Sequence, residues 1–372
     1  MVEVRPVLTK KDLKTFIMLP FRLYKHDPNW VAPLIGEQKK FFNPKYNSYY
    51  EHSEVALFLA WENGKPIGRI SAQTNTQHNL EHKDKVGFFG FFECEDNQAA
   101  ADALFEAALK WNKERGRDTL RGPMNLSVND ECGLLVKGFD KPPFIMMTYN
   151  PPYYEKLILG TGFHQVKDLY AYYLERTTIP ERIEKAALQI MQRKNFTVRT
   201  LSTDKQQQKK DIETVFKIYR EAWQYNWGAV PLTDGELKQV VRTLLPIVDP
   251  DLVQIAEVNG KPAGFSLALP NYNEVLSVMH GRVNPVTMIK AYFKSKHISS
   301  ARVITLGVIR EYQKRGIDIV FHYNSYKNGL PKGFFKTEFS WILDDNVMMI
   351  REAEMLNAEL YKIYRLYDKP IG

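Results

Sequence analysis

The residues Gln313-Lys314-Arg315-Gly316-Ile317-Asp318 carry the clearest chemical signal in this chain. They follow a strand-like apolar run (303–309) and lead into a segment of helical spacing (319–326). Strand, glycine-bearing turn and helix start together make an anion cradle. The first backbone N–H groups of a helix have no partner within it, and the helix dipole adds partial positive charge there. A phosphate can take those donors. Gly316 lets the backbone come close to a ligand, and Lys314 and Arg315 supply fixed positive charge. We read the stretch as a pyrophosphate site, with an ordinary strand-to-helix turn as the alternative.

Other residues could move protons. Glu338 sits in Thr337-Glu338-Phe339-Ser340-Trp341, a strand pattern with one face toward an acceptor; a surface carboxylate is the competing reading. Asp344 and Asp345 precede a helix and read as its caps. Tyr361, Tyr364 and Tyr367 recur every third residue, as core aromatics or, for Tyr364, as a proton donor. In the first half, Arg121-Gly122-Pro123-Met124-Asn125 and Asn129-Asp130-Glu131 suggest a shaped loop at a cleft, or a surface turn. Tyr149, Asn150, Tyr153 and Tyr154 are candidates for an acceptor pocket between the halves. His78 and His82, four apart, would share a helix face and could hold a metal. Their polar neighbours instead suggest an exposed loop, and no metal site is expected. Cys94 and Cys132 are too few for a disulfide framework or a cysteine-rich zinc site.

The elements that must position these residues occur twice. Asn63-Gly64-Lys65-Pro66-Ile67-Gly68 recurs as Asn259-Gly260-Lys261-Pro262-Ala263-Gly264. Asn29-Trp30-Val31-Ala32-Pro33-Leu34 recurs as Asn226-Trp227-Gly228-Ala229-Val230-Pro231-Leu232, and Val4-Arg5 as Val198-Arg199. The matches keep their order at nearly one offset, so the chain reads as two copies of one fold, 1–177 and 178–372. Each copy reads β-α-α-β-β-β-α-β-α-β, an α/β fold with a mixed sheet. In the first copy a helix over 11–25 is expected to break at Pro20, and a strand is expected over 119–128. In the second copy residues 271–299 are much longer than their counterpart and contain an amphipathic run at 286–293, expected to fold over something.

Composition bounds the rest. Hydrophobic residues make up 44% and charged residues 25% of 372, with no apolar run near the ~20 residues that span a bilayer. A cytoplasmic protein of two domains is expected. The net charge of +8 suits a phosphorylated ligand, tRNA or a membrane surface, but the cations are dispersed, and DNA is not an expected partner.

With strand, Gln-x-x-Gly-x-x turn, helix, strand and Asn-led helix in place, the sequence resembles the GNAT superfamily of acyl-CoA-dependent N-acyltransferases. The best-matched residues are 305–318 and 345–367, and the fold order covers both halves. The resemblance implies that Gln313, Lys314, Arg315, Gly316 and Ile317 hold the CoA pyrophosphate, with Asp318 where the family has Gly or Ala. It implies that Leu306, Gly307 and Val308 hydrogen-bond the pantetheine arm, and that Asn346 lies near it. In the first copy the aligned turn is Asp96-Asn97-Gln98-Ala99-Ala100-Ala101, without glycine or cations: a degenerate cradle. That copy keeps Tyr154-Glu155-Lys156 and Gly162-Phe163, which resemble the family segment whose Tyr protonates the departing thiolate. The second copy has Ala353 at the equivalent place.

The expected activity is direct transfer of an acetyl or longer acyl group from a CoA thioester to a small-molecule or peptide amine. Glu338, Tyr364 and Tyr154 are the catalytic candidates. Two alternatives stand beside it: a Fem-like transferase using aminoacyl-tRNA, and a non-catalytic CoA- or ligand-binding protein.

Overall fold

Asn63-Gly64 and Asn259-Gly260 form two tight turns in which all four residues have positive φ (51°, 74°, 51° and 73°). Only a few residue types tolerate that backbone, and the resulting turn matches the natural twist of a hairpin. Each turn closes an antiparallel hairpin at the same place in its half of the chain. The computed structural model describes residues 1–193 and 196–372. The first half runs β1 (Glu3–Pro6), α1 (Lys10–Leu23), α2 (Ile35–Phe41), β2 (Val55–Glu62), β3 (Lys65–Thr74), α3 (Thr76–His82), β4 (Val86–Cys94), α4 (Gln98–Lys113), β5 (Thr119–Gly122), β6 (Leu134–Lys137), α5 (Tyr154–Gly160) and β7 (His164–Glu175). The second runs α6 (Glu181–Gln192), β8 (Thr197–Thr200), α7 (Lys205–Trp223), α8 (Asp234–Leu244), β9 (Val253–Val258), β10 (Lys261–Pro270), α9 (Asn273–Leu276), α10 (Pro285–Ser295), β11 (Ser300–Val308), α11 (Ile317–Gly329), β12 (Lys336–Leu343), α12 (Val347–Met355) and β13 (Glu359–Pro370).

Among the described residues the strands form a single mixed sheet, β1-β2-β3-β4-β5-β13-β7-β12-β11-β10-β9-β8, with β6 against β13. The halves exchange their last strands. β13 ends the chain yet lies beside β5 of the first half, while β7 lies beside β12 of the second. The two pair antiparallel along their length, from Glu359↔Tyr173 to Asp368↔His164. A buried cluster spans this seam, joining Val86, Phe88 and Met124 to Leu343, Tyr364 and Leu366.

Both halves contain one parallel strand pair, and in both the pairing is short. β4 and β5 pair only over Val86–Phe88 against Thr119–Arg121. β11 and β12 pair only over Ser300–Val303 against Lys336–Phe339. Past those points the strands splay, leaving a wedge at the C-terminal end of each pair.

Three expectations need correction, and a fourth holds in part. Pro20 does not break α1. Its ring leaves the Phe16 carbonyl without a helical donor, and Arg69 Nη1 fills that role from β3 at 2.8 Å. The strand expected over 119–128 ends at Gly122, because the chain then turns back toward β4. His78 and His82 lie on a helix, not in a loop, and His78 is buried against Phe88. The segment 271–299 does pack on the protein, through Val275, Met279, Ala291 and Ile298, but the larger apolar side chains of 286–293 face outward.

Candidate active site

The wedge between β11 and β12 opens into a cavity of about 550 Å³. One wall is the stretch of β11 from Ile304 to Val308, which pairs with β10 but not with β12; the other is β12 from Phe339 to Leu343. Trp223 at the end of α7, with Tyr225, Asn226 and Trp227 just after it, closes the top. Gly307 is required there: a Cβ built on it would lie 2.1 Å from the Trp223 ring. The mouth is the turn itself, where Gln313, Lys314, Ile317 and Asp318 line the cavity.

The turn has the backbone of a cradle. Gly316 is the N-cap of α11 at φ +79°, and no side chain at that position caps the helix. Gln313 folds back, its Nε2 donating to the Val308 carbonyl at 3.1 Å. Thr305 Oγ1 is buried in the β11 wall and has no hydrogen-bond partner. The wedge therefore offers helix-end donors, a free hydroxyl and strand backbone released from its partner.

Asp318 is half-buried and lines the cavity. Burial, with the nearby Glu352 charge, pushes its carboxyl above the ordinary Asp value. Glu352 is itself engaged with His322 Nε2. Arg315 and Gly316 are in the turn but not in the cavity wall; the Arg315 guanidinium sits 5.4 Å from the Tyr312 ring centroid.

At the vertex of the wedge, Glu338 is fully buried, not a surface carboxylate. Its neighbour across the strands is buried Arg302, with Nε 3.8 Å from Glu338 Oε1. Ser340 and Tyr361 both donate their hydroxyls to Glu338. Arg302 Nε donates to Ser340 Oγ at 2.7 Å, and its Nη1 reaches the Ile145 carbonyl of the first half at 2.8 Å. Burial raises the Glu338 pKa, and Arg302 opposes that rise. Glu338 does not line the cavity, but Ser340 does.

Tyr364 and Tyr154 are farther from the wedge. Tyr364 is fully buried beside Glu338, and its hydroxyl has no partner. Tyr154 opens α5, with its hydroxyl donating to Glu93 at 2.8 Å and accepting from the Cys94 N–H at 3.0 Å. Neither lines the cavity. Asp344 and Asp345 are not helix caps: both hold Lys167, at 2.8 and 2.7 Å. Asn346 caps α12 through the Met349 N–H and also lines the cavity. Sequence reasoning missed Trp223, Thr305 and Glu352. The repeated Asn226-Trp227 was the available signal for the α7 wall. Among the described residues no cluster of three His, Cys, Asp or Glu side chains is arranged to hold a metal ion.

No family model matches the chain. A protein named bacterial ceramide synthase, from Caulobacter vibrioides (strain NA1000 / CB15N), is 36% identical over 378 residues, covering 100% of this chain and 98% of that protein. Protein YghO of Escherichia coli (strain K12) is 35% identical over 377 residues, covering 99% and 95%. An uncharacterized N-acetyltransferase of Methanocaldococcus jannaschii, MJ1207, matches over 112 residues at 26% identity, 30% of this chain and 48% of that one. The chain belongs to one family with the first two proteins. A tandem GNAT protein from the clavulanic acid biosynthesis pathway has the same fold at TM-score 0.57 and 12% identity, covering 100% and 99% of the two chains. A GCN5-related N-acetyltransferase from Sphaerobacter thermophilus matches at TM-score 0.53 and 12% identity, over 100% and 96%. The duplicated GNAT fold thus extends over the whole chain.

Proposed function

We propose that this protein is an acyl-CoA-dependent N-acyltransferase with one donor site, in the second of two copies divided near 177/178, and that its acceptor is a long-chain amine. The observation that carries the reading is the open wedge between β11 and β12, with the uncapped α11 turn at its mouth. The 36% identical relative named a ceramide synthase supports the acceptor class, because a ceramide is the amide of a long-chain amino alcohol. A CoA thioester donor also fits a cytoplasmic protein.

The residues present suit a CoA thioester. The first N–H groups of α11, with Lys314 and Gln313, would hold its pyrophosphate. Leu306, Gly307 and Val308 would take the pantetheine arm with their backbone, with Asn346 at the opposite wall. When bound, the group supplies an acyl carbon activated by a thiol leaving group. The acceptor nitrogen forms the new C–N bond, the C–S bond breaks, and the nitrogen's proton must leave. We assign Ser340 and Glu338 to receive it: Ser340 faces the cavity, and Glu338 accepts the Ser340 hydroxyl hydrogen bond. Arg302 opposes the upward pull of burial on the Glu338 carboxyl. Neutral thiol is released when the proton passes on to sulfur. Tyr364 supports Glu338 by packing, and we give Tyr154 no part in the transfer. Burial pushes the Cys94 and Cys132 thiols up to about 12, so a covalent acyl-cysteine is not invoked.

The test is direct. Purified protein is incubated with palmitoyl-CoA and sphinganine, and the amide is sought by mass spectrometry alongside released thiol. The reading expects product with the long-chain amine and a loss of acyl-CoA binding in Lys314→Glu. No product with long- or short-chain amines, and binding indifferent to that substitution, would overturn it. One observation favours a second reading: Asp318 places a carboxylate at the cradle. CoA binding without turnover across an amine panel would identify a ligand-binding protein.

A further inference from the structure

Helix α10 wears its apolar side outward. Val283, just before it, and Val286, Met288, Ile289, Tyr292 and Phe293 within it are each 50 to 64% exposed. On a helical wheel those of α10 cover an arc of about 160°. The inward side is carried by Ala291, which packs with Val275, Met279 and Ile298. An ordinary surface helix has the reverse arrangement, with its apolar stripe on the core. A continuous exposed apolar face of this kind marks an interaction surface.

The charge around it is of one sign. Residues 281–299 contain Arg282, Lys290, Lys294 and Lys296 and no Asp or Glu. Lys294 is paired with Glu274 at 3.2 Å. Lys296 Nζ lies 4.2 Å from the Tyr292 ring centroid, at the border of the apolar face. Lys290 is exposed at the other border.

We infer that α10 docks this protein on an anionic lipid bilayer, lying in the plane of the headgroups with its apolar side chains among the upper acyl chains. Aromatic and aliphatic residues on one side, with lysine and arginine at the edge, are what such an interface selects. At 11 residues α10 is too short to cross a bilayer. A second copy of the chain fits less well, because a two-fold contact through this face would bring two cationic rims together, with no acidic side chain in 281–299 to offset them.

The segment is anchored. The Ile35 N–H donates to the Gly281 carbonyl at 2.9 Å, and Asn273 Nδ2 donates to the Pro143 carbonyl at 2.9 Å. It then runs into β11 at Ser300, the end of that strand opposite the Gln313–Asp318 turn. Docking would leave the donor mouth on the far end of β11 from the lipid. Membrane docking rests on the surface alone; only its use in presenting a lipid amine rests on the proposed chemistry.

The test is vesicle co-sedimentation without any acyl donor, so that its outcome is independent of catalysis. Phosphatidylglycerol-containing vesicles are compared with pure phosphatidylcholine vesicles, at low and high salt. Wild-type protein is expected to sediment with the anionic vesicles and to be released by salt. The double substitution Ile289→Glu/Phe293→Glu, at exposed positions, is expected to weaken binding by about tenfold or more with unchanged circular dichroism. Lys290→Glu is expected to weaken it less. Wild-type protein that stays in the supernatant with both vesicles would overturn the proposal. So would undiminished binding by the double variant, or a stable solution dimer that the double variant dissociates.

Discussion

In the first half, β5 stops at Gly122 and the chain doubles back into the wedge beside β4. The Met124 N–H donates to the Phe89 carbonyl at 2.7 Å, Asn125 Oδ1 accepts from the Phe91 N–H at 2.8 Å, and Gln73 Nε2 holds the Met124 carbonyl at 2.7 Å. The fit is tight enough that a Cβ on Gly90 would meet the Met124 oxygen at 1.9 Å. In the second half no described segment enters in this way, and the wedge is a cavity. The helix ends differ in the same sense. Asn97 caps α4 by accepting from the Ala100 N–H at 3.1 Å, whereas Gly316 leaves α11 without such a cap. Even the repeated tryptophans part ways: Trp30 stacks on Tyr24 at 5.0 Å, while Trp227 lines the cavity. The same arrangement of strands thus holds a filled wedge in one half and an open cavity in the other. What decides between them is whether the strand's released backbone groups find partners inside the chain.

The comparison breaks most severely at the vertex of the open wedge. Arg302→Ala would strand Glu338 as a buried carboxylate and remove the bridge to Ile145. A loss of about 3–5 kcal/mol is expected in denaturant unfolding, far more than for an exposed arginine. The filled wedge is tested by Asn125→Ala, which leaves the Phe91 N–H without its acceptor. It should cost about 1–3 kcal/mol and create no second CoA site, read by unfolding and by calorimetric titration.

Asp318 sharpens the contrast from the other side. Its raised pKa and its place at the cradle set it against a phosphate of the same charge. Binding therefore favours protonated Asp318, so CoA affinity should rise as pH falls through that pKa and level off above it. Asp318→Asn should bind CoA about tenfold more tightly at neutral pH, ~1.4 kcal/mol, and lose this component of the pH dependence. The smallest effect belongs to α4. Asn97→Ala should cost about 1 kcal/mol of stability, as for a lost helix cap, and leave CoA binding unchanged.

Some of this contrast was legible in the residues. The Asn-Gly turns, the repeat and the glycine turn at Gly316 are local signals, and local backbone preference fixes them. The loss of glycine and cations at 96–101, read as a degenerate cradle, is a local difference of the same kind. What was not legible depends on distant partners. Pro20 sits inside a helix because Arg69 reaches it from another strand. Asp344 and Asp345 are taken by Lys167 rather than by a helix end. Glu338 looked like a strand-face carboxylate because its partner Arg302 lies on a different strand. The exchange of β7 and β13 leaves no sequence trace, since either strand would suit either half. The spacing of α10 was read correctly as amphipathic, but spacing alone does not say which side faces the protein.

The central claim is a single donor site at the β11–β12 wedge. Calorimetric titration of the wild-type chain and of Gly316→Val with a non-hydrolysable acyl-CoA tests it most directly. Valine at φ +79° strains the turn and disturbs the α11 start that should hold the pyrophosphate. The account predicts one equivalent bound by wild type and binding weakened by about tenfold or more in the variant. Two equivalents bound, or undiminished binding by Gly316→Val with its fold intact, would contradict it.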